Sequence, residues 1–213
     1  MNIKENNIFK KLLERYPELE SCSAEIYTAG EILKEAALAD KKILICGNGG
    51  SAADADHITG ELIKSFCKIR PIEKELAENL EKLDSKTGPD IVAKLQGGIQ
   101  AIALTHHISL STAFANDVDP NLVFAQQCHV FGKKGDVFWG LSTSGNAENV
   151  YRAALVAKAK GLRVIGMTGE GGGKLKALCE TCITVPRKET YEVQELHLPV
   201  YHALCLYLED SLW

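Results

Sequence analysis

Residues 42–62, KILICGNGGSAADADHITGEL, join an apolar run, a glycine-rich turn and a helix-prone segment. The run at 42–46 does not alternate between apolar and polar residues, which is typical of a strand buried on both faces of a parallel sheet. Three glycines in the turn at 47–51 allow positive φ and a close approach of the backbone to a ligand. The helix that follows offers free N–H groups at its N terminus. The stretch therefore predicts a strand, an anion-binding turn and a helix.

The same order of strand, turn and helix recurs along the chain. Apolar runs that predict strands lie at 42–46, 99–104, 136–141, 162–168 and 182–186. Helical segments are expected at 8–19, 26–36, 51–67, about 119–131, 147–160, 172–179 and 190–213. The alternation predicts an α/β fold: a three-layer αβα sandwich with a central parallel sheet, plus N-terminal and C-terminal helices.

The length of 213 residues predicts a single domain over 1–213. One segment, at about 71–98, breaks the rhythm because it is charged, helix-prone and longer than a usual connection. We interpret this segment as a solvated helical insertion. A lid or a subunit contact beside the site is the alternative.

Composition and charge exclude several functional classes. A formal net charge of −4, with 24% charged residues, gives no electrostatic basis for binding nucleic acid or an anionic membrane surface. No apolar run approaches the roughly 20 residues of a membrane-spanning helix, and the first residues lack the apolar core of a signal peptide. Seven cysteines, an odd number, lie in apparently core-forming segments. They indicate reduced thiols and a cytoplasmic protein.

A second turn, STSGN at 142–146, also stands between a predicted strand and a predicted helix. Its three hydroxyl groups exceed what one helix cap needs, and they can bind a phosphate without a fixed charge. A dinucleotide site is rejected, because the next strand ends near Leu104, too late to supply the acidic residue of that motif. Two such turns at one edge of a sheet predict a phosphorylated small molecule as ligand.

His57 and Glu61 are four residues apart and share one face of the predicted helix. Alone, such a pair is more often an exposed stabilising contact. The anion-binding turn six residues before His57 favours a ligand pair, or a ligand and a base. A helix face with this pair is suited to move a proton or to hold a metal ion.

At these residues the chain resembles a sugar isomerase (SIS) domain, and specifically the phosphoheptose isomerases. The strongest matches are GNGGSAADADHITGEL at 47–62, FAND at 114–117, STSGNAENV at 142–150 and VQELHLPVYHALC at 193–205. The resemblance implies conversion of D-sedoheptulose 7-phosphate to D-glycero-D-manno-heptose 7-phosphate through an enediol or enediolate. It also implies a cytoplasmic homotetramer, with sites between subunits and one zinc ion per subunit.

The resemblance also assigns roles to individual positions. Glu61 and His202 match the acid/base pair of the family. The zinc ligands match His57, Glu61, Gln194 and His202. Substrate contacts are expected at Asn48, Gly49, Gly50, Ser51, Glu61, Asn116, Asp117, Ser142, Thr143, Ser144 and Gln194. Spacing alone does not support the pairing of Gln194 with His202, because eight residues of regular helix separate them by about 12 Å. An irregular helix near Gln194, or ligands that serve sites in different subunits, would reconcile this spacing with the zinc ligands that the resemblance implies.

Two positions depart from the family's pattern. Ala147 replaces a serine that often follows the second turn, and Ser65 replaces a common arginine, for which Lys64 or Lys68 is a candidate substitute. The departures leave two alternatives open besides the heptose isomerase. One is a non-catalytic SIS adaptor resembling the tetramers that attach to the bacterial replication initiator. The other is an isomerase for another phosphosugar.

Overall fold

The computed structural model describes residues 6–213, so residues 1–5 of the expected domain lie outside the described residues. The helices are α1 (Asn7–Arg15), α2 (Ser23–Leu38), α3 (Gly50–Ile63), α4 (Lys74–Leu83), α5 (Gly88–Lys94), α6 (Ile108–Asp117), α7 (Val123–Phe131), α8 (Glu148–Ala159) and α9 (Thr190–Leu212). The strands are β1 (Ile43–Cys46), β2 (Ala101–Ala103), β3 (Val137–Leu141), β4 (Arg163–Thr168) and β5 (Thr181–Thr184). Each predicted apolar run contains one of these strands or overlaps it.

The strands form one parallel sheet in the order β2-β1-β3-β4-β5. Ile43 of β1 lies beside Ala101 on one side and Val137 on the other. This order reverses direction between β1 and β3, and in open α/β sheets ligands bind at such a switch point, outside the carboxyl ends of the strands. The prediction of an αβα sandwich with a central parallel sheet is confirmed.

Two apolar cores separate the three layers. Ile43 and Ile45 of β1 point to a core that contains α1, α2, α3 and α9, whereas Leu44 and Cys46 point to a core with α7 and α8. All four side chains are fully buried, which explains why the run shows no polar alternation. The packing places α3 and α9 side by side on one face of the sheet.

Three helix expectations were wrong in detail. The helix expected at 8–19 ends at Arg15, because Pro17 has no N–H to continue it, and Pro17–Cys22 form a 3-10 helix. Residues 172–179 form only a short 3-10 helix, Leu175–Leu178, because three consecutive glycines at 171–173 adopt positive φ and hold the chain in a turn. Helix α6 was not predicted, and it precedes the expected helix at 119–131, which is observed as a 3-10 turn followed by α7.

The segment at 71–98 contains α4 and α5, which pack against each other. Neither helix buries a side chain, and Leu76 and Leu83 of α4 are exposed. Within one chain this helical pair is therefore solvated. None of the helices in residues 6–213 is long and apolar enough to cross a membrane.

Candidate active site

The first turn follows β1 and opens into α3. Gly49 has φ +55°, and a Cβ on Gly47 would lie 2.5 Å from the Ser51 carbonyl oxygen, so the tight turn needs glycine at both positions. No side chain in residues 6–213 caps the N terminus of α3. An uncapped helix N terminus in a glycine turn is a site for an anion.

The second turn follows β3 and packs closely against the glycines of residues 171–173. Gly145 has φ +65°, and a Cβ there would lie 2.0 Å from the Gly172 carbonyl oxygen. The amide of Lys174 donates to Asn146 Oδ1 at 3.1 Å, and the amide of Asn146 donates to Ser144 Oγ at 3.1 Å. These contacts hold the turn rigidly, at the end of the strand that pairs with β1.

The two turns border one cavity of about 400 Å³. Its lining includes most of the predicted substrate contacts, namely Asn48, Gly49, Gly50, Ser51, Ser142, Thr143, Ser144 and Gln194, together with Leu141, Ala147 and Thr190. The side chains of Asn48 and Asn149 exchange two hydrogen bonds, of 2.8 and 2.9 Å, and so connect the first turn to α8. Among the described residues no Lys or Arg side chain lines the cavity, so an anion there would be held by uncharged donors and helix N termini.

Gln194 closes this cavity from α9. A Cβ on Gly50 would lie 2.7 Å from the Gln194 amide nitrogen, so the glycine leaves the room that the amide occupies. Gln194 therefore lies at the N terminus of α3. The structure places Gln194 with the residues of the two turns and does not gather it beside His202.

Three predicted residues converge near the other end of α3. The Nε2 atom of His57 lies 3.5 Å from Glu61 Oε1, and the rings of His57 and His202 lie 5.0 Å apart, centroid to centroid. Glu61 is largely buried, and its Oε2 atom has no hydrogen-bond partner in residues 6–213, with Lys64 Nζ 3.9 Å away. Burial, reinforced by the neighbouring His57, lowers the pKa of His202. A carboxylate and two imidazoles thus share one partly enclosed place.

The remaining predicted positions lie apart from both groups. Asn116 and Asp117 are the last residues of α6 and are both exposed, and the Asn116 amide donates to Asp117 Oδ1 at 2.8 Å. Neither lines the cavity between the two turns. Their role as substrate contacts stays a prediction.

Metal-binding geometry is incomplete. Across the described part of the chain, no three His, Cys, Asp or Glu side chains are gathered closely enough to hold a metal ion as they stand. The donor types at His57, Glu61 and His202 nevertheless suit zinc. The orphaned Oε2 atom of Glu61 and the His57–Glu61 separation, too long for a hydrogen bond of normal length, leave donor capacity free at this place.

Known proteins are similar to this chain over most of its length. A family model described as the SIS domain matches residues 7–169. A phosphoheptose isomerase from a Nitratiruptor species is 40% identical over 96% of this chain and 98% of its own length. One from Aneurinibacillus thermoaerophilus is 35% identical over 100% of this chain and 90% of its own length. This chain belongs to the phosphoheptose isomerase family.

Solved structures of family members have the same fold. A phosphoheptose isomerase from Neisseria gonorrhoeae superimposes with a TM-score of 0.73 at 32% identity and covers 95% of each chain. One from Francisella tularensis gives a TM-score of 0.73 at 25% identity and covers 97% of each chain. The resemblance inferred from the sequence motifs is therefore confirmed over nearly the whole length.

Two residues that hydrogen-bond to predicted site residues were not identified from the sequence. Asn149 fixes Asn48, and Tyr201 contacts His57. Asn149 stands in the quoted motif at 142–150, but nothing in the motif indicates its partner. Tyr201 lies directly before His202 in the quoted motif at 193–205, but nothing in that motif indicates a contact with His57. Neither contact has a sequence signal, because the partners lie 101 and 144 residues apart.

Proposed function

We propose that this protein is a phosphoheptose isomerase that interconverts D-sedoheptulose 7-phosphate and D-glycero-D-manno-heptose 7-phosphate. The observation that carries the proposal is the arrangement of α3. Its N terminus borders the cavity between the two turns, which is lined by uncharged hydrogen-bond donors. Its other end carries the largely buried Glu61 carboxylate next to the imidazoles of His57 and His202. One helix thus joins a site for the phosphate to a site for proton transfer. The identities of 40% and 35% to relatives of that name, over nearly their full length, support the substrate.

The mechanism that this arrangement supports is acid–base catalysis. Glu61 removes a proton from the carbon next to the carbonyl and returns it to the adjacent carbon, through an enediol or enediolate. Its largely buried position favours this role, because the carboxylate has few competing hydrogen bonds. Burial lowers the pKa of His202 and so favours its neutral ring, which donates a proton to the carbonyl oxygen and takes one back from the neighbouring hydroxyl group, so that the imidazole ends as it began.

We infer that the site takes one zinc ion per subunit, held by His57, Glu61 and His202, with Gln194 as the fourth ligand that the family resemblance implies. When bound, zinc would polarise the carbonyl group and stabilise the enediolate. The free donor atoms at Glu61 and His57 support this set. Gln194 is the weakest member, because its amide lies against Gly50 in the cavity between the two turns. Metal analysis of freshly purified wild type and of His57→Gln tests the assignment.

We also propose a homotetramer with its sites between subunits, in the cytoplasm. His202 lines an open groove of about 630 Å³ between α1 and α9, together with apolar residues such as Leu12, Leu198 and Leu206. A second copy covering this groove would enclose the imidazole. The seven cysteines are all free thiols, which supports a reducing compartment. Light scattering after gel filtration tests the oligomeric state.

A turnover assay tests the reaction. Wild-type protein supplied with zinc and sedoheptulose 7-phosphate is expected to form the aldose, and Glu61→Gln is expected to lower kcat by about 10²–10⁴-fold while retaining substrate binding. Glu195→Gln, at an exposed position on α9, is the matched control and should leave kcat unchanged. Turnover of a different sugar phosphate in a substrate panel would reassign the substrate. Binding without turnover of any sugar phosphate would refute the enzyme and favour the adaptor.

A further inference from the structure

We propose that Tyr201 and Asp54 hold the His57 imidazole in a single tautomer, with the proton on Nδ1 and the Nε2 lone pair facing Glu61. Both are positioning residues. The inference deepens the proposed function, on which it rests only for the role of His57 as a zinc ligand. The tautomer itself is a property of the protein without substrate.

The three side chains form a chain of hydrogen bonds between α9 and α3. The Tyr201 hydroxyl lies 3.2 Å from Asp54 Oδ1 and 3.0 Å from His57 Nδ1. Tyr201 is 1% exposed, and its ring packs edge-on against the His57 ring at 5.5 Å. Asp54 and His57 lie three residues apart on α3, so one hydroxyl reaches both.

The number of available protons decides which group donates and which accepts in these hydrogen bonds. An ionised carboxylate only accepts hydrogen bonds, so the single hydroxyl proton of Tyr201 goes to Asp54. The hydroxyl oxygen is then left as an acceptor, and His57 must donate to it from Nδ1. A neutral imidazole with its proton on Nδ1 carries its lone pair on Nε2.

This tautomer determines what the Nε2 atom of His57 offers to Glu61. Nε2 faces Glu61 Oε1 at 3.5 Å, so two electron-rich atoms confront each other with no proton between them. Such a pair is stabilised by a cation, and imidazoles that bind metals typically donate a hydrogen bond from their second ring N–H to a fixed partner in this way. Tyr201 and Asp54 are that partner, and they prepare His57 to bind a cation through Nε2.

Nitrogen NMR of ¹⁵N-histidine-labelled, metal-free protein at pH 8 tests the tautomer directly, with His57→Gln assigning the signal. The wild type should show His57 protonated on Nδ1. Tyr201→Phe should shift His57 toward the tautomer mixture of free imidazole. It should also weaken zinc binding by about tenfold or more in a chelator competition.

Tyr207→Phe is the matched control. Tyr207 is also on α9 and also bonds a carboxylate, Glu31, so the variant loses the same type of contact away from His57. It should leave both the tautomer and the zinc affinity of the wild type unchanged. A second variant, Asp54→Asn, lets an amide donate to Tyr201, which frees the hydroxyl proton for Nδ1 and should move the imidazole proton to Nε2.

An unchanged His57 tautomer in Tyr201→Phe, with native circular dichroism, would overturn the proposal. So would an equal change in Tyr207→Phe. These readouts need no turnover. Absence of isomerase activity in the wild type would therefore refute the proposed function while leaving the tautomer result standing.

Discussion

Replacing Glu209 by glutamine should remove much of the stability of this protein, although the residue lies outside both groups of site residues. Glu209 is 1% exposed, and its carboxylate accepts from the backbone amides of Phe66, Cys67 and Lys68 at 2.9, 2.8 and 3.0 Å. It also accepts from Arg70 Nε at 2.8 Å. It thus fixes the segment that follows α3.

Arg70 connects this segment to the last turn of α3, which carries Glu61. It is fully enclosed, and its guanidinium donates to the carbonyl oxygens of Leu62 at 2.9 Å and Glu61 at 3.0 Å, in the last turn of α3. Glutamine at position 209 would leave this buried cation without a counter-charge. Breaking one side of a buried pair costs about 3–5 kcal/mol, a large part of the roughly 5–15 kcal/mol that stabilises a typical domain.

The pH dependence has a defined sign. Burial alone would raise the pKa of Glu209, but the amides of Phe66 and Cys67, together with Arg70, outweigh it, and the pKa lies below the ordinary value of 4.5. The stabilisation is therefore present above pH 4.5 and is lost as the pH falls through the lower value of the folded protein. The difference between wild type and Glu209→Gln should shrink over the same range.

Urea unfolding at a fixed protein concentration measures the effect. Asp210→Asn is the matched control, because Asp210 is the next residue on α9 but pairs with Lys68 at the surface. It should cost no more than about 1 kcal/mol. A loss below about 1 kcal/mol for Glu209→Gln would refute the reasoning.

Three further predictions concern other parts of the fold. Burial lowers the pKa of His197 to about 4, so wild type should lose about 3 kcal/mol as the pH falls from about 7 to about 4, a component absent in His197→Leu by acid-titrated unfolding. Gly145→Ala should lose about 1–3 kcal/mol more than Gly171→Ala, because both have positive φ but only the first meets a backbone clash. Asn149→Ala frees Asn48 and should raise KM about tenfold with little change in kcat, by steady-state kinetics.

Each of these has its own contradicting outcome. An acid profile that His197→Leu leaves unchanged would show that the imidazole does not govern it. Equal losses in the two glycine variants would show that the second turn tolerates a methyl group. An Asn149→Ala effect confined to kcat would place the amide pair near the reacting carbons and away from the phosphate.

Local chemistry explains what could be predicted. The apolar run before Gly47 indicated a doubly buried strand, and the glycines after it indicated a turn, because both properties reside in neighbouring residues. The expected helix at 172–179 was wrong for the same local reason, since its glycines favour a turn over a helix. The placement of Gln194 against Gly50 could not be predicted, because it depends on how α9 crosses α3.

The sequence by itself determined the strands of the parallel sheet, the two turns that follow β1 and β3 and the shared helix face of His57 and Glu61, since each depends on residues close together in the chain. Tertiary structure alone decided which side chains complete the site. The pairing of His57 with Tyr201 spans 144 residues, and that of Asn48 with Asn149 spans 101. Such contacts leave no periodic trace in the sequence, because they are set by the packing of whole helices on a sheet.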